Sequence, residues 1–329
     1  MRIVSLLPSA TEILALIGAS DRLVGRSHEC NFPGGLDHLP VLTAPRAGST
    51  PGQALIGGAS ASSIDDRVKE ASKAGESLFT LDERLLAELN PDLVITQDVC
   101  RVCAVDHDAV CRIAKGLPNS PSVLSLRPET VEGVLDDILV IGKAIGLERA
   151  AMHAVVGLRE RADRALEYVN PYTEGPVVGF MEWTDPIYVA GHWSVQLIER
   201  AGGRHPLNET IAKPGSGAAV GPQQAERIAG QSIAVSSNVF SAVKPEVLVI
   251  APCGLTLEQA IAETKRLSEQ AWFQELPAVK TGKVAMVDGN QMFNRPGPRL
   301  YDALEFLVGF VNELPKLIPV QFPWKRWQA

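Results

Sequence analysis

The sequence predicts an α/β protein of two Rossmann-like lobes with parallel sheets, joined by one long α-helix. Three observations carry this. Short apolar runs alternate with amphipathic segments in both halves, the rhythm of parallel strands covered by helices. The chain has 329 residues, 46% hydrophobic and 21% charged, enough for two cores. Near mid-chain, Leu147–Val169 places Leu147, Ala151, Ala154, Val155, Leu158, Ala162, Ala165, Leu166 and Val169 at helical spacing. The opposite face carries Arg149, Arg159, Glu160, Arg161, Asp163, Arg164 and Glu167. An unbroken helix of that length would run roughly 35 Å, and it reads as a rigid strut. The expected division is 1–127 as an N-terminal α/β lobe, 128–170 as a helical segment containing the strut 147–169, and 171–329 as a C-terminal α/β lobe.

Taken in order, Arg2–Leu7 is a buried strand that Pro8 breaks. Ser9 and Glu12 then read as a capping box for a helix Thr11–Ile17 that stops at Gly18. Arg22–Arg26 is a strand, and Pro45–Ala61 a Gly/Ser/Ala/Pro-rich loop. Ile64–Ala74 and Asp82–Leu89 are helical, Asp92–Thr96 is a strand, and Gln97–Val105 is a loop. Asp106 is placed to cap a helix ending at Gly116. Ser122–Leu126 is a strand and Pro128–Ile145 a helix closed by Gly146. Beyond the strut, Pro176–Met181 and Ile187–Ala190 read as strands, Ser194–Ala201 as a helix, and Arg204–Gly221 as a loop. Ala225–Gly230 and Ser237–Ala242 read as short helices. Val247–Ala251 is a strand, Leu257–Ala271 a helix, Val284–Val287 a strand, Asn290–Pro298 a loop and Arg299–Leu314 the closing helix. In such lobes ligands bind outside the carboxyl ends of the strands, so the loops there are the ones to inspect.

The net charge of −7, with Lys and Arg dispersed, argues against a nucleic-acid partner. No apolar run is long enough to span a membrane. A strand pattern begins at Arg2 with no leader before it, so the sequence as it stands reads as cytoplasmic; it would be periplasmic if a leader had been removed. Five cysteines, an odd number in a large chain, do not form a disulfide framework.

Cys100-Arg101-Val102-Cys103 is the sharpest local signal. Two thiols at this spacing chelate a soft metal or cycle to a disulfide, but a structural zinc site needs four ligands. His28 and Cys30 complete such a set if their loop lies beside this one. The competing reading, two small thiols packing a tight loop, is favoured. Glu182-Trp183-Thr184-Asp185 and Gly191-His192-Trp193 put two indoles, an imidazole and two acids at strand ends, a wall for a large, flat, partly polar ligand. Against this, Trp193 could anchor the next helix and His192 bond backbone. Trp183 and His192 are assigned to a cleft because both are expected on loops. Arg295 either meets an anionic group or is an exposed loop arginine. His38, His107, His153 and His205 default to surface or capping positions. No G-x-S-x-G, P-loop or H-E-x-x-H motif is present.

With these loops in view, the chain resembles the cobalamin-binding (BtuF-like) substrate-binding proteins of ABC importers, the helical-strut class III periplasmic-binding-protein fold, also called chelatase-like. The resemblance covers nearly the whole chain. It rests on Arg2–Glu12, Val24-Gly25-Arg26-Ser27-His28 with Pro33, Asn90–Ile95, and Pro298-Arg299. It implies a non-enzymatic protein holding cobalamin or a similar metal chelate between the lobes, with siderophores and haem as the cargo of relatives. By position, Ser9, His28, Cys100, Cys103, Glu182, Trp183, His192, Trp193 and Arg295 would bind ligand, with His28 or His192 axial to an accessible metal. The resemblance also implies a transporter permease as partner, docked through Asp106 or Asp108 and through Glu258. Gln97–Cys103 and the insertion around Gly57–Ser77 depart from the best-known carriers. The alternative function is a thiol–imidazole metal site of His28, Cys30, Cys100 and Cys103 in an enzyme or metal-trafficking protein. A sensor passing its bound state to a partner is a third reading.

Overall fold

A computed structural model describes residues 1–46, 59–74, 77–97, 107–213 and 227–328, the side chains of 72 and 74 excepted. Cys100, Cys103 and Asp106 lie outside the described residues. The chain forms two compact units, one of residues 1–128 with 132–157, the other of 129–131 with 158–329.

The first unit is organised on a parallel sheet in the order β2-β1-β5-β6, with β1 at Ile3–Ser5, β2 at Leu23–Arg26, β5 at Leu93–Gln97 and β6 at Ser122–Leu126. Ile3, Val4, Val94 and Ile95 are fully buried, as continuous apolar strands of a parallel sheet should be. A small antiparallel pair, β3 (Thr43–Pro45) and β4 (Phe79–Leu81), stands apart from it. Helix α1 covers Pro8–Leu16, so Pro8 opens the helix instead of ending the strand. Proline suits the first helical position because its missing N–H would have no partner there. The predicted capping box does not form: the cap residue is Leu7, without a side-chain bond, and Ser9 falls inside the first turn, buried. Asp82, by contrast, caps α3 (Glu83–Leu89) by accepting from Leu85 N–H at 2.9 Å. Helices α2 (Ala61–Ala74), α4 (His107–Gly116) and α5 (Val131–Ala144) complete the series.

Helix α6 runs unbroken from Glu148 to Leu166. It begins in the first unit and ends in the second, the division falling between Gly157 and Leu158. Its buried residues are Ala151, Val155, Leu158, Ala162 and Ala165, one apolar stripe at the expected spacing. Arg161 on this helix grips helix α12 (Leu300–Val311). Its Nε and Nη2 donate to the two oxygens of Glu305 at 3.0 and 2.7 Å, and Nη2 also meets Asp302 at 2.6 Å. The bonds to Glu305 raise the guanidinium's pKa further above its already high value, so the charge is permanent. Arg161→Ala leaves two half-buried carboxylates facing each other and is expected to cost about 2 kcal/mol, with Arg161→Lys recovering only part because lysine lacks the planar fork. A urea-unfolding midpoint unchanged in Arg161→Ala would sink this assignment.

The second unit holds a six-stranded sheet in the order β11-β8-β7-β12-β13-β14. The strands are β7 (Val178–Thr184), β8 (Ile187–Val189), β11 (Ile233–Val235), β12 (Val247–Ile250), β13 (Val284–Val287) and β14 (Trp324–Arg326). Parallel pairing joins only β7, β12 and β13; β8, β11 and β14 are added by antiparallel pairing. The expectation of purely parallel strands fails at the edges because Asp185-Pro186 turns the chain straight back from β7 into β8. The C-terminal tail supplies β14, which sequence periodicity did not reveal. The first residue of β14, Trp324, and the preceding Phe322 pack on Phe306 of α12, at ring separations of 5.3 and 4.4 Å. Ala225–Gly230, expected to be helical, instead contributes a two-residue strand, β10 (Arg227–Ile228), against β9 (Ile211–Ala212). Helix α7 (His192–Arg200) starts two residues earlier than predicted. Helices α8 (Ser237–Ala242), α9 (Leu257–Ser268), α10 (Ala271–Gln274) and α11 (Pro277–Lys280) complete the unit.

Candidate functional site

In the first unit the carboxyl ends of β1 and β2 carry a buried polar network. The Thr11 hydroxyl lies 2.8 Å from Ser5 Oγ and 3.0 Å from Cys30 Sγ, which fixes that thiol in a packing position. His28 follows β2. Its amide donates to Thr43 Oγ1 at 3.1 Å, and its Nδ1 lies 2.6 Å from the same oxygen. Thr43 gives its own hydrogen to Ser27 Oγ, so it accepts from His28, and Nδ1 is the protonated nitrogen. In the neutral ring Nε2 then carries the lone pair, the arrangement that suits metal ligation. Burial lowers the imidazole's pKa while Glu29, 3.5 Å from Nε2, pulls the other way. Among the described residues no group of three or more His, Cys, Asp and Glu is placed to hold a metal.

In the second unit the decisive place is the end of β7. Glu182 and Trp183 were expected on a loop but belong to the strand. Met181 pairs with Val189 and Trp183 with Tyr188, which leaves Glu182 as the extra residue of a β-bulge. A bulge re-aims its side chain. Here both carboxylate oxygens are taken: Oε1 accepts from the Gly191 amide at 3.3 Å and Oε2 from Ser232 Oγ, with the Ser194 hydroxyl also bonding the group. Burial outweighs these bonds and pushes the carboxyl up to about 7.

His192 lies where extended chain becomes helix. The β8–β11 pairing is continued by the His192 amide donating to Gly230 O at 2.8 Å, and by Asn208 Nδ2 bonding both Ala190 O and Gln231 O. The chain then turns into α7 through a φ of +47° at His192. A left-handed conformation at a residue other than glycine stores roughly 1 kcal/mol or more, and such strain gathers at functional sites. The ring stacks on Trp193 at 5.5 Å, and its Nδ1 is buried with no hydrogen-bond partner. Burial lowers its pKa against the pull of Glu129, so the imidazole is neutral at pH 7.

The two indoles are anchored. Trp183 Nε1 donates to Asp185 O and Trp193 Nε1 to Phe293 O, and both rings are buried. The loop-based reason for placing Trp183 and His192 in a cleft therefore fails: one is in a strand, the other heads a helix. Arg295 is not an exposed loop arginine. It is 8% exposed and bonds Asn290 Oδ1 at 3.1 Å. The loop turns inward because Phe293 packs edge-on against Phe180 at 4.9 Å. His205, assigned to the surface or a cap, is buried with Nδ1 2.8 Å from Val178 O. Asp108 and Glu258 are exposed in the first turns of α4 and α9, where the helix dipole favours acids. Sequence reasoning missed Ser232, Asn208 and Gly230; the Gly191-His192 dipeptide after a strand was the available signal.

Three solved structures are similar to the whole chain. A periplasmic heme-binding protein of Pseudomonas aeruginosa superposes with a TM-score of 0.67 at 18% identity, covering 100% of this chain and 98% of that one. A periplasmic heme-binding protein of Roseiflexus gives 0.65 at 20% identity, over 95% and 98%. The periplasmic vitamin B12 binding protein BtuF of Vibrio cholerae gives 0.63 at 19% identity, over 96% and 98%. No curated protein matches the sequence. The three structural likenesses show a shared fold. No helix among the described residues is long and apolar enough to cross a membrane. The family model for periplasmic binding proteins matches residues 3–290, and the chain belongs to that family.

Proposed function

We propose that this chain is a non-enzymatic solute-binding protein whose cargo is a metal chelate, a corrinoid such as cobalamin or a haem, and that His192 is the axial imidazole. The observation that carries the reading is the state of His192. It is neutral and conformationally strained, and its side chain is only part-buried. A neutral imidazole suits cobalt and iron. The Pseudomonas aeruginosa neighbour binds heme and the Vibrio cholerae neighbour vitamin B12. Trp193 stacks under the imidazole and limits its rotation. Trp183 and Arg295 are secondary contacts in this reading. The protein works with an ABC-transporter permease that docks on Asp106 or Asp108 and on Glu258, in the periplasm or as a cytoplasmic homologue.

Separate calorimetric titrations with aquocobalamin, cyanocobalamin and hemin test this. At least one is expected to saturate with a Kd below about 10 μM, roughly −7 kcal/mol. His192→Gly should weaken that binding at least tenfold and change the ligand's visible spectrum, while thermal stability holds or rises because glycine adopts the positive φ freely. Three flat titrations, or His192→Gly binding with native affinity and spectrum, reject the reading.

The thiol–imidazole reading has one observation in its favour, the protonation of His28 on Nδ1 by its bond to Thr43, which leaves Nε2 as a donor atom. Stoichiometric zinc, iron or copper in untagged protein, lost in Cys100→Ser, would establish it.

A further inference from the structure

We propose that Glu182 is a positioning residue: it clamps the segment 190–192 against 230–232 and so holds His192 in the conformation that presents its ring. This rests on the reading of His192 as the ligand-contacting imidazole. The argument starts from the bulge. In a regular β7–β8 pair Glu182 would face a partner on β8; as the extra residue of the bulge it has none. Its main chain stays tied to the sheet, since its carbonyl accepts from Cys253 N–H at 2.9 Å. The side chain is thereby aimed sideways from a fixed base.

Its carboxylate joins two stretches that are distant along the chain, bonding the Gly191 amide and the Ser194 hydroxyl on one and the Ser232 hydroxyl on the other. Gly191 precedes His192, and Ser194 follows it in the first turn of α7. Ser232 lies two residues beyond Gly230, whose carbonyl receives the His192 amide. One side chain therefore holds both flanks of His192 and the strand that bonds it. The approach is close enough that a Cβ on Gly191 would stand 2.2 Å from Ser232 N. A positive φ at a histidine persists only where its surroundings over-determine it, and the Glu182 contacts are that surrounding. A function confined to packing would not require a carboxylate here, because burying one is costly and an apolar residue fills such space at less cost.

The test uses two variants of the full chain. Glu182→Ala removes the clamp. Glu182→Gln is close in shape to the protonated acid and retains an acceptor and a donor. In ligand-free protein, amide hydrogen exchange read by NMR is expected to speed up at least tenfold at His192 in Glu182→Ala, leave Val249 in β12 unchanged, and return toward native protection in Glu182→Gln. Hemin and aquocobalamin titrations should then show Glu182→Ala weakened at least fivefold, with the spectral change of His192→Gly, and Glu182→Gln close to native. Native protection of the His192 amide in Glu182→Ala overturns the clamp. Accelerated exchange with native affinity and spectrum, in a protein where His192→Gly loses both, overturns the positioning role. If His192→Gly itself binds both probes like the native protein, it is the underlying reading that fails, and the positioning role falls with it.

Discussion

Replacing Gly191 with alanine is expected to lower the stability of the second unit by about 3–5 kcal/mol and to abolish ligand binding. Gly191 has extended dihedrals, φ −127° and ψ −179°, so backbone strain plays no part in the cost. The cost is steric. The added Cβ would meet Ser232 N at 2.2 Å, Gln231 C at 2.6 Å and Ser232 Cα at 2.9 Å, all backbone atoms that cannot rotate away. Separation by about an ångström strains the Glu182–Ser232 bond, the His192–Gly230 bond and the Asn208–Gln231 bond. Overpacking costs roughly 1–3 kcal/mol, and each bond lost from a buried site adds about 1 kcal/mol. All five tryptophans, Trp183, Trp193, Trp272, Trp324 and Trp327, lie in the second unit, so fluorescence during urea unfolding reports on it selectively. A Gly191→Ala midpoint within error of the native one would refute the close approach.

The gross architecture was legible because it depends on periodicity, which sequence displays directly. The apolar stripe of α6 and the buried runs of β5, β12 and β13 were found where their spacing put them. Local signals with two meanings were misread. Pro8 ends strands and opens helices with equal ease, and only the inward turn of Ser9 and Thr11 decides which. Trp324–Arg326 carries one apolar residue in three, and its strand exists because β13 offers an open edge. The candidate site was half legible. Gly191-His192-Trp193 marks the turn from β8 into α7, but the reason for choosing it, that both Trp183 and His192 sit on loops, does not hold: one is in a strand and the other opens a helix. What makes His192 unusual is a positive φ and a buried nitrogen without a partner, neither of which leaves a trace in residue order. Glu182 was singled out for its charge, whereas its position comes from a bulge that depends on how β7 and β8 register. The conflict between local preference and observed conformation at His192 is the kind expected at a functional position.

The first unit holds a comparable liability, and its removal should stabilise the protein. Asp137 in α5 is buried, its Oδ2 has no hydrogen-bond partner, and the adjacent Asp136 is a second negative charge. Burial first, and Asp136 second, push its carboxyl up to about 7. The folded value is raised above the unfolded one, so the folded state binds the extra proton. Its stabilising contribution is therefore whole below the unfolded pKa of about 4 and is lost as pH rises to about 7. At pH 8 the native protein carries the full cost of the buried charge, at most about 4 kcal/mol at roughly 1.4 kcal/mol per pKa unit. Asp137→Asn removes the charge but buries an amide with no better partners, which returns part of the gain. The variant should be more stable than the native protein by about 2 kcal/mol at pH 8, with the advantage shrinking toward zero near pH 4. Glu182 titrates in the same window but identically in both proteins, so it cancels from the difference. Because the first unit has no tryptophan, far-ultraviolet circular dichroism during urea unfolding is the appropriate probe. A difference between the two proteins that stays constant from pH 4 to pH 8 would mean that Asp137 is solvated and not raised. A carboxylate retained at such a cost is a place where stability has been given up, as the positive φ at His192 is, and the pH series measures how much.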